Sequence, residues 1–460
     1  MQPVPSAAPH DLSGKIGRMW ELSARKIRFI ERFYDPARGA PVFTSEGSWT
    51  SRGWTEWTQG FQYGSALLQY DATGEKEFLE IGRRSTLARM SVHLTHVGVH
   101  DHGFNNVSTY GGLLRLMNEG RIPESPWERG FYELALKVSG AVQASRWTRT
   151  ADGGGYVYSF NGPHSLFVDT IRSLRSLAIS HSLGHALMEE NDQRVSLLSR
   201  LLQHAAATAR FSIYYGEGRD AYDVPGRVAH EAIFNVKDGN YRCSSSQQGY
   251  SPFTTWTRGL AWAILGFAEE LEYIAELPEQ ELSGHGGKAE ILSWMRRALD
   301  VTSEFYIAHT ASDGIPYWDT GAPGLEALGA WRQREADPFN EKEPVDSSAA
   351  AIACQGLMRY GCWLRAAGEP RGERFLNVGL AVLSRLLEEP YLSTAEAHQG
   401  LLLHSVYHRP NGWDSIPAGR KIPCGESSMW GDYHLREAAL FAQRFIQGGT
   451  PLVFWRRNPL

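Results

Sequence analysis

Helical periodicity runs the length of the chain, in two alternating kinds. Apolar residues recur at three- and four-residue spacing over 12–34, 57–71, 75–92, 103–118, 125–146, 165–183, 191–210, 252–276, 288–308, 346–366, 370–386 and 426–446, which predicts twelve helices. The odd-numbered ones, such as KAEILSWMRRALDVTSEFY and RGERFLNVGLAVLSRLLEE, carry charge along one side, as surface helices do. The even-numbered ones, such as WTQGFQYGSALLQY, TWTRGLAWAILGFAEEL and DSSAAAIACQGLMRYG, are rich in glycine, alanine and aromatics, as suits helices approached closely from all sides. Strand-like alternation is short, as in GGYVYSF at 154–160. Six hairpins of one wet and one buried helix predict an all-α (α/α)6 barrel, even helices inside. It would form a single domain over 1–460, with a flexible N-terminal segment at 1–11. A helical solenoid is the alternative closure, but no fixed repeat is present.

The bulk of the chain excludes several functions. At 460 residues, 42% apolar, it can bury a large core. A net charge of −5 with no basic stripe argues against a nucleic-acid partner. No apolar run is long enough to span a membrane. The start, MQPVPSAAPHDLSGK, lacks the basic and apolar regions of a secretory signal, so a cytoplasmic protein is expected. The four cysteines, Cys243, Cys354, Cys362 and Cys424, form no CxxC pair, so they read as free thiols and not as zinc ligands. Fifteen Trp and nineteen Tyr fit either a large aromatic core or a pocket that stacks sugar rings.

Each buried helix begins with polar residues and continues apolar. The clusters are Trp54-Thr55-Glu56-Trp57-Thr58-Gln59, His100-Asp101-His102, Asp169-Thr170, Thr254-Thr255-Trp256-Thr257-Arg258, Asp346-Ser347-Ser348 and Glu426-Ser427-Ser428-Met429-Trp430. Parallel inner helices would bring these starts to one end of the barrel, with helix dipoles suited to an anionic ligand. Asp, Ser and Thr are also ordinary N-caps, and Asp346-Ser347-Ser348 needs no further explanation than that. Caps do not call for Trp and His. Neighbouring side chains on a helix diverge by about 100°, so His-Asp-His does not read as a metal site, and none is expected. Asp101 and Asp169, on different inner helices, are the best acid–base pair, of the kind used to break or hydrate sugar linkages.

The chain resembles glycoside hydrolase family 88, the unsaturated glucuronyl hydrolases, and more distantly the unsaturated rhamnogalacturonyl hydrolases. The likeness runs from about residue 50 to 445 and rests on motifs in order: WTQGFQYG, HDHGF, LFVDTIRSLRSL, QQGYSPFTTWTRGLAWAILGF, YWDTGAP, VDSSAAAIA and ESSMWGDYHLREA. It implies the (α/α)6 barrel. It also implies hydration of the enol ether in a 4,5-unsaturated uronic acid at the non-reducing end of lyase-generated oligosaccharides. By position, Asp169 would be proton donor and then base, with a pKa raised by burial and by Asp101, the second essential carboxylate. Gln248 and Arg258 match substrate-contacting residues, and His230 falls at a substrate-side histidine. Trp57 matches a stacking tryptophan, and His100 precedes the first aspartate as in the family. Ser427 and Ser428 lie where serines face the uronate carboxylate. Trp256 and Trp430, inside the same motifs, complete the expected binding set.

Departures from the pattern sit at Gln62 (usually Trp), Gln247 (usually His), Arg172 and Arg175, and in HGFNN. They are expected around the substrate, with 310–345 a longer loop over the pocket. That leaves open a saturated glucuronide, another uronate, or a non-catalytic carbohydrate-binding protein. The expected partner is an oligosaccharide ending in a uronic acid, bound by a monomer or small homo-oligomer. Acid-catalysed hydration calls for no cofactor.

Overall fold

The computed structural model describes residues 9–52, 56–453 and 455. Twelve principal helical segments appear where the periodicity places them. The outer ones are α1 (Pro9–Phe33), α3 (Lys76–Arg89), α5 (Pro126–Ser145), α7 (Leu197–Phe211), α9 (Lys288–Ala308) and α11 (Gly372–Leu386). The inner ones are α2 (Gln59–Thr73), α4 (102–118, with a π-turn over Val107–Gly111), α6 (170–182, interrupted at Leu174), α8 (Thr257–Glu276), α10 (Ser347–Ala366) and α12 (Met429–Ile446). Residues 9–11 of the expected flexible segment already belong to α1; residues 1–8, and Trp54 and Thr55 of the first polar cluster, lie outside the described residues.

The inner helices form a closed ring, which excludes the solenoid. Asn105 Oδ1 accepts from Gly60 N, tying α4 to α2, and Ser173 Oγ accepts from Gly103 N, tying α6 to α4, both at 2.9 Å. Trp430 Nε1 donates to Ser348 Oγ at 3.0 Å, joining α12 to α10, and Phe61 packs on Tyr433 to join α12 back to α2. Small residues make this closeness possible. A Cβ on Gly103 would stand 2.2 Å from Ser173 O, and one on Gly266 of α8 would stand 2.8 Å from Arg172 N. Nearly all of α8 and α10 is buried, whereas α9 buries one stripe.

Strands are few. Ser165–Phe167, Glu231–Phe234 and Tyr241–Ser245 form an antiparallel sheet that delivers the chain to Asp169 and to Gln247. The GGYVYSF stretch supplies the short strand Gly155–Val157. No helix among the described residues is long and apolar enough to cross a membrane.

The barrel interior also holds charge. Arg172 of α6 reaches Glu269 of α8 at 2.9 Å and Glu437 of α12 at 2.7 Å, and Arg175 lies 3.9 Å from Glu269 and 3.7 Å from Glu437. This corrects the expectation that Arg172 and Arg175 surround the substrate: both are buried along the barrel interior and join three inner helices. Gln62 is corrected likewise, facing a groove lined by Ile27, Met429 and Asp432. Nor does 310–345 cover the pocket. Its residues 317–319 pair with Val345 and Trp256, propping the start of α8.

Candidate active site

At the N-terminal end of the inner helices a cavity is lined by residues from the starts of three of them and from the loops between. His100, Asp101, Phe104, Asp169, Trp256, Arg258 and Trp262 come from the inner-helix starts, joined by Trp57, Val99, Phe160, Gln247 and Gln248. Tyr407, His408 and Trp413 close one side.

The two aspartates at the mouths of α4 and α6 are not caps. Neither makes a side-chain bond to the helix it precedes, unlike Asp346, whose Oδ1 accepts from Ser348 N at 3.1 Å. Both are buried, and between them stands His100. Its Nε2 is 3.4 Å from Asp169 Oδ1 and 3.7 Å from Asp101 Oδ1, close enough for ion pairing but poorly aligned for a hydrogen bond. The His100 backbone is fixed, because its carbonyl accepts from Gln143 Nε2 at 3.0 Å and Ser173 Oγ at 2.7 Å. Its ring lies between Phe160 and Phe167.

The electrostatics reverse one expectation. Burial pushes Asp169 up, but contact with the His100 cation, helped by Arg258, outweighs it and holds this carboxyl below its ordinary range. Asp101 is the raised one, through burial first and then the charge of Asp169. Burial lowers His100, yet the two carboxylates more than compensate and raise it. These opposite directions favour His100 over Asp169 as the holder of a shared proton.

Arg258 is held from all sides. Nη1 donates to Asp346 Oδ2 at 3.1 Å and to the Val406 carbonyl, and Nη2 to Tyr407 O at 2.7 Å and Gln248 Oε1 at 3.0 Å. Its guanidinium lies between the rings of Trp256 and Trp430. It is both a salt-bridge anchor and a pocket wall. Trp57 lines the cavity and stacks on Trp430, centroids 5.1 Å apart.

Four expected contact residues stand behind the wall. His230 is buried with Nδ1 accepting from Gln247 N at 3.0 Å, and burial lowers its pKa to about 4, so it is neutral. Ser428 Oγ caps α12 by accepting from Gly431 N at 3.1 Å. Ser427 and Trp430 are fully buried, and the Trp430 indole N–H is engaged by Ser348. None of His230, Ser427, Ser428 and Trp430 is among the residues that line the cavity. His102 is turned away, its ring bonded to Ser139 Oγ and the His96 carbonyl.

Several lining residues escaped the sequence reading. Trp262 follows Arg258 by one helical turn and Phe104 follows Asp101 by nearly one, so spacing from a suspected site residue could have found them. Tyr407, His408 and Trp413 lie in a loop without periodicity. Asp414 organises it, its carboxylate accepting from Tyr407 N at 2.5 Å and His408 N at 3.2 Å.

No protein-family model matches the chain. It is 25% identical over 443 residues to the unsaturated glucuronyl hydrolase of Bacillus sp. (strain GL1), covering 94% of this chain and 97% of that protein. It is 23% identical over 445 residues to the unsaturated chondroitin disaccharide hydrolase of Streptococcus pyogenes serotype M1, covering 95% and 92%. The crystal structure of the Bacillus sp. GL1 enzyme, described as responsible for the degradation of glycosaminoglycan, superposes with a TM-score of 0.71 at 21% identity, covering 97% of this chain and all of that one. An aspartate-to-asparagine variant of the Streptococcus agalactiae unsaturated glucuronyl hydrolase, complexed with dGlcA-GalNAc6S, superposes at 0.63 and 18% identity, covering 99% of this chain. Over nearly its whole length, the chain is similar to unsaturated glucuronyl hydrolases.

Proposed function

We propose that the protein is a hydrolase that removes a 4,5-unsaturated uronic acid from the non-reducing end of an oligosaccharide by hydrating its enol ether. The observation that carries this reading is the buried Asp101–His100–Asp169 arrangement, in an aromatic-walled cavity at the inner-helix starts. The relatives named for this activity support it.

Protonation of C4 needs a neutral acid, and addition of water at C5 then needs a base. His100 keeps one proton a single contact from Asp169. A sugar closing over the pair removes the remaining solvent and brings in the uronate charge. Both favour a neutral carboxyl over an ion pair, so the proton passes to Asp169. Asp169 donates it to C4, and the positive charge spreads over C5 and the ring oxygen. Asp169, now ionised, accepts a proton from the water that attacks C5. The hemiketal at C5 opens the ring, and the hemiacetal left at C1 releases the leaving sugar. Asp101 is the second carboxylate at the reacting end, and Trp57 and Trp256 present rings to the sugar faces.

The test is turnover. Unsaturated disaccharides from chondroitin, heparin and pectic lyase digests should lose the ultraviolet absorbance of their conjugated double bond in the presence of the protein. Release of sugar from a saturated glucuronide, with none from these substrates, would replace the reading.

A further inference from the structure

The turn 246–250 is fastened through the amides of residues 247 to 250. His230 Nδ1 accepts from Gln247 N at 3.0 Å and from Gln248 N at 3.4 Å, Ser246 Oγ from Gly249 N at 2.9 Å, and Asp319 Oδ2 from Tyr250 N at 2.8 Å. A Cβ on Gly249 would stand 2.6 Å from Ser246 Oγ and 2.9 Å from the Trp256 Cβ, so the turn is packed against the start of α8. A turn held this firmly fixes where its two glutamine side chains point.

Their situations differ. Gln248 gives its amide oxygen to Arg258 at 3.0 Å. Gln247 also lines the cavity, but its buried Oε1 has no hydrogen-bond partner. A buried amide group left unpaired costs about 1–3 kcal/mol, which an incoming polar group recovers. An amide can be satisfied at either of its heavy atoms, and a hydroxyl both donates and accepts, so the two match whichever way the amide is turned. A sulfate ester carries acceptors only, so it leaves the amide oxygen unpaired, whereas a hydroxyl can donate to it.

We propose that Gln247 is a specificity-determining residue, reading an uncharged hydroxyl of the substrate, so that the site takes saccharides unsulfated at the position Gln247 faces. This rests on the saccharide reading of the cavity given above.

The experiment measures binding and turnover separately. Unsaturated disaccharides, unsulfated or carrying a 2-O-, 4-O- or 6-O-sulfate, are titrated calorimetrically into Asp169→Asn protein with Gln247 intact, with Gln247→Met, and with Gln247→Glu. The same Gln247 substitutions are assayed for turnover in the otherwise native enzyme. The Met variant, of similar length but unable to hydrogen-bond, should bind the unsulfated disaccharide about three- to tenfold more weakly and raise KM to match, with kcat within roughly twofold. The Glu variant, of the same shape with a charge beside a uronate, should lose more than the Met variant. With Gln247 intact, at least one sulfated form should bind more weakly than the unsulfated one. Unchanged binding in the Met variant, a fall in kcat alone, or equal or tighter binding of every sulfated form would overturn the assignment. Binding that depends on Gln247, with no turnover of any unsaturated substrate, would leave this inference standing and remove the enol-ether reading instead.

Discussion

His100 Nε2 stands 3.4 Å from Asp169 Oδ1, and no other described side chain places a proton so near that carboxylate. The active form of the free enzyme is then the one with a single proton on the pair. Asp169 is lowered, so the acidic limb of kcat/KM, where the pair takes up a second proton, falls below the ordinary carboxylate range. His100 is raised, so the basic limb, where the pair loses its proton, lies above the ordinary imidazole range. In His100→Gln the proton must sit on Asp169 alone. Freed of the cation, that carboxyl rises, yet it holds a proton less well than the imidazole did. The basic limb should therefore move about one pH unit or more toward acid. Profiles of kcat/KM against pH for the two proteins check this, and an unmoved basic limb would assign the proton elsewhere.

Removing the acid itself should be more severe. Asp169→Asn keeps shape and polarity but cannot donate and then accept, and kcat should fall by roughly 10²–10⁴-fold with substrate still bound. Calorimetry beside the rate measurement separates the two. Near-native kcat in this variant would pass the acid role to Asp101 or His100.

The barrel-interior arginines give a stability prediction that doubles as a test of their location. Arg172→Met leaves Glu269 and Glu437 without their nearest partner and should cost about 3–5 kcal/mol in denaturant unfolding. Wild-type preference among substrates should remain, because the residue has no face on the cavity. A changed preference with unchanged stability would put it at the substrate after all.

Asp71 offers a signed pH test. It is buried against Arg115 and Arg444, each 2.7 Å away, and although burial pushes it up, these cations hold its carboxyl below the ordinary range. A depressed carboxyl contributes stability that is present above its unfolded pKa and lost as pH falls through its folded one. Asp71→Asn should therefore destabilise at neutral pH by about 3–5 kcal/mol. The gap to wild type should narrow below about pH 4. A gap that is constant with pH would mean the loss is packing and not charge.

Much of this was legible before the structure. The wet and buried helix patterns gave the ring, because a helix that buries every side must be enclosed and one that buries a stripe must be outside. Asp101 and Asp169 were legible as site residues because they precede their helices at the barrel mouth. The same logic misled at Arg172. It lies within α6 and faces the interior ion cluster, a partnership with Glu269 and Glu437 that only the fold brings together. Ser428 followed the bland rule for a serine before a helix, while Asp101 broke it, and sequence could not separate the two. The Tyr407–Trp413 wall was invisible because its order comes from Asp414 and from Arg258, which binds the Val406 and Tyr407 carbonyls. His100 was placed at the substrate; its position between both carboxylates depends on how two inner helices meet.

The most direct test of the central claim is the reaction run in heavy water on an unsaturated disaccharide, following the conjugated double bond by ultraviolet absorbance and the products by mass spectrometry. The account predicts that absorbance falls in step with release of the leaving sugar, that the uronic product carries one carbon-bound deuterium at C4, and that Asp169→Asn does neither. Release of the sugar with the double bond intact and no deuterium at C4 would mean direct cleavage of the glycosidic bond, and would contradict it.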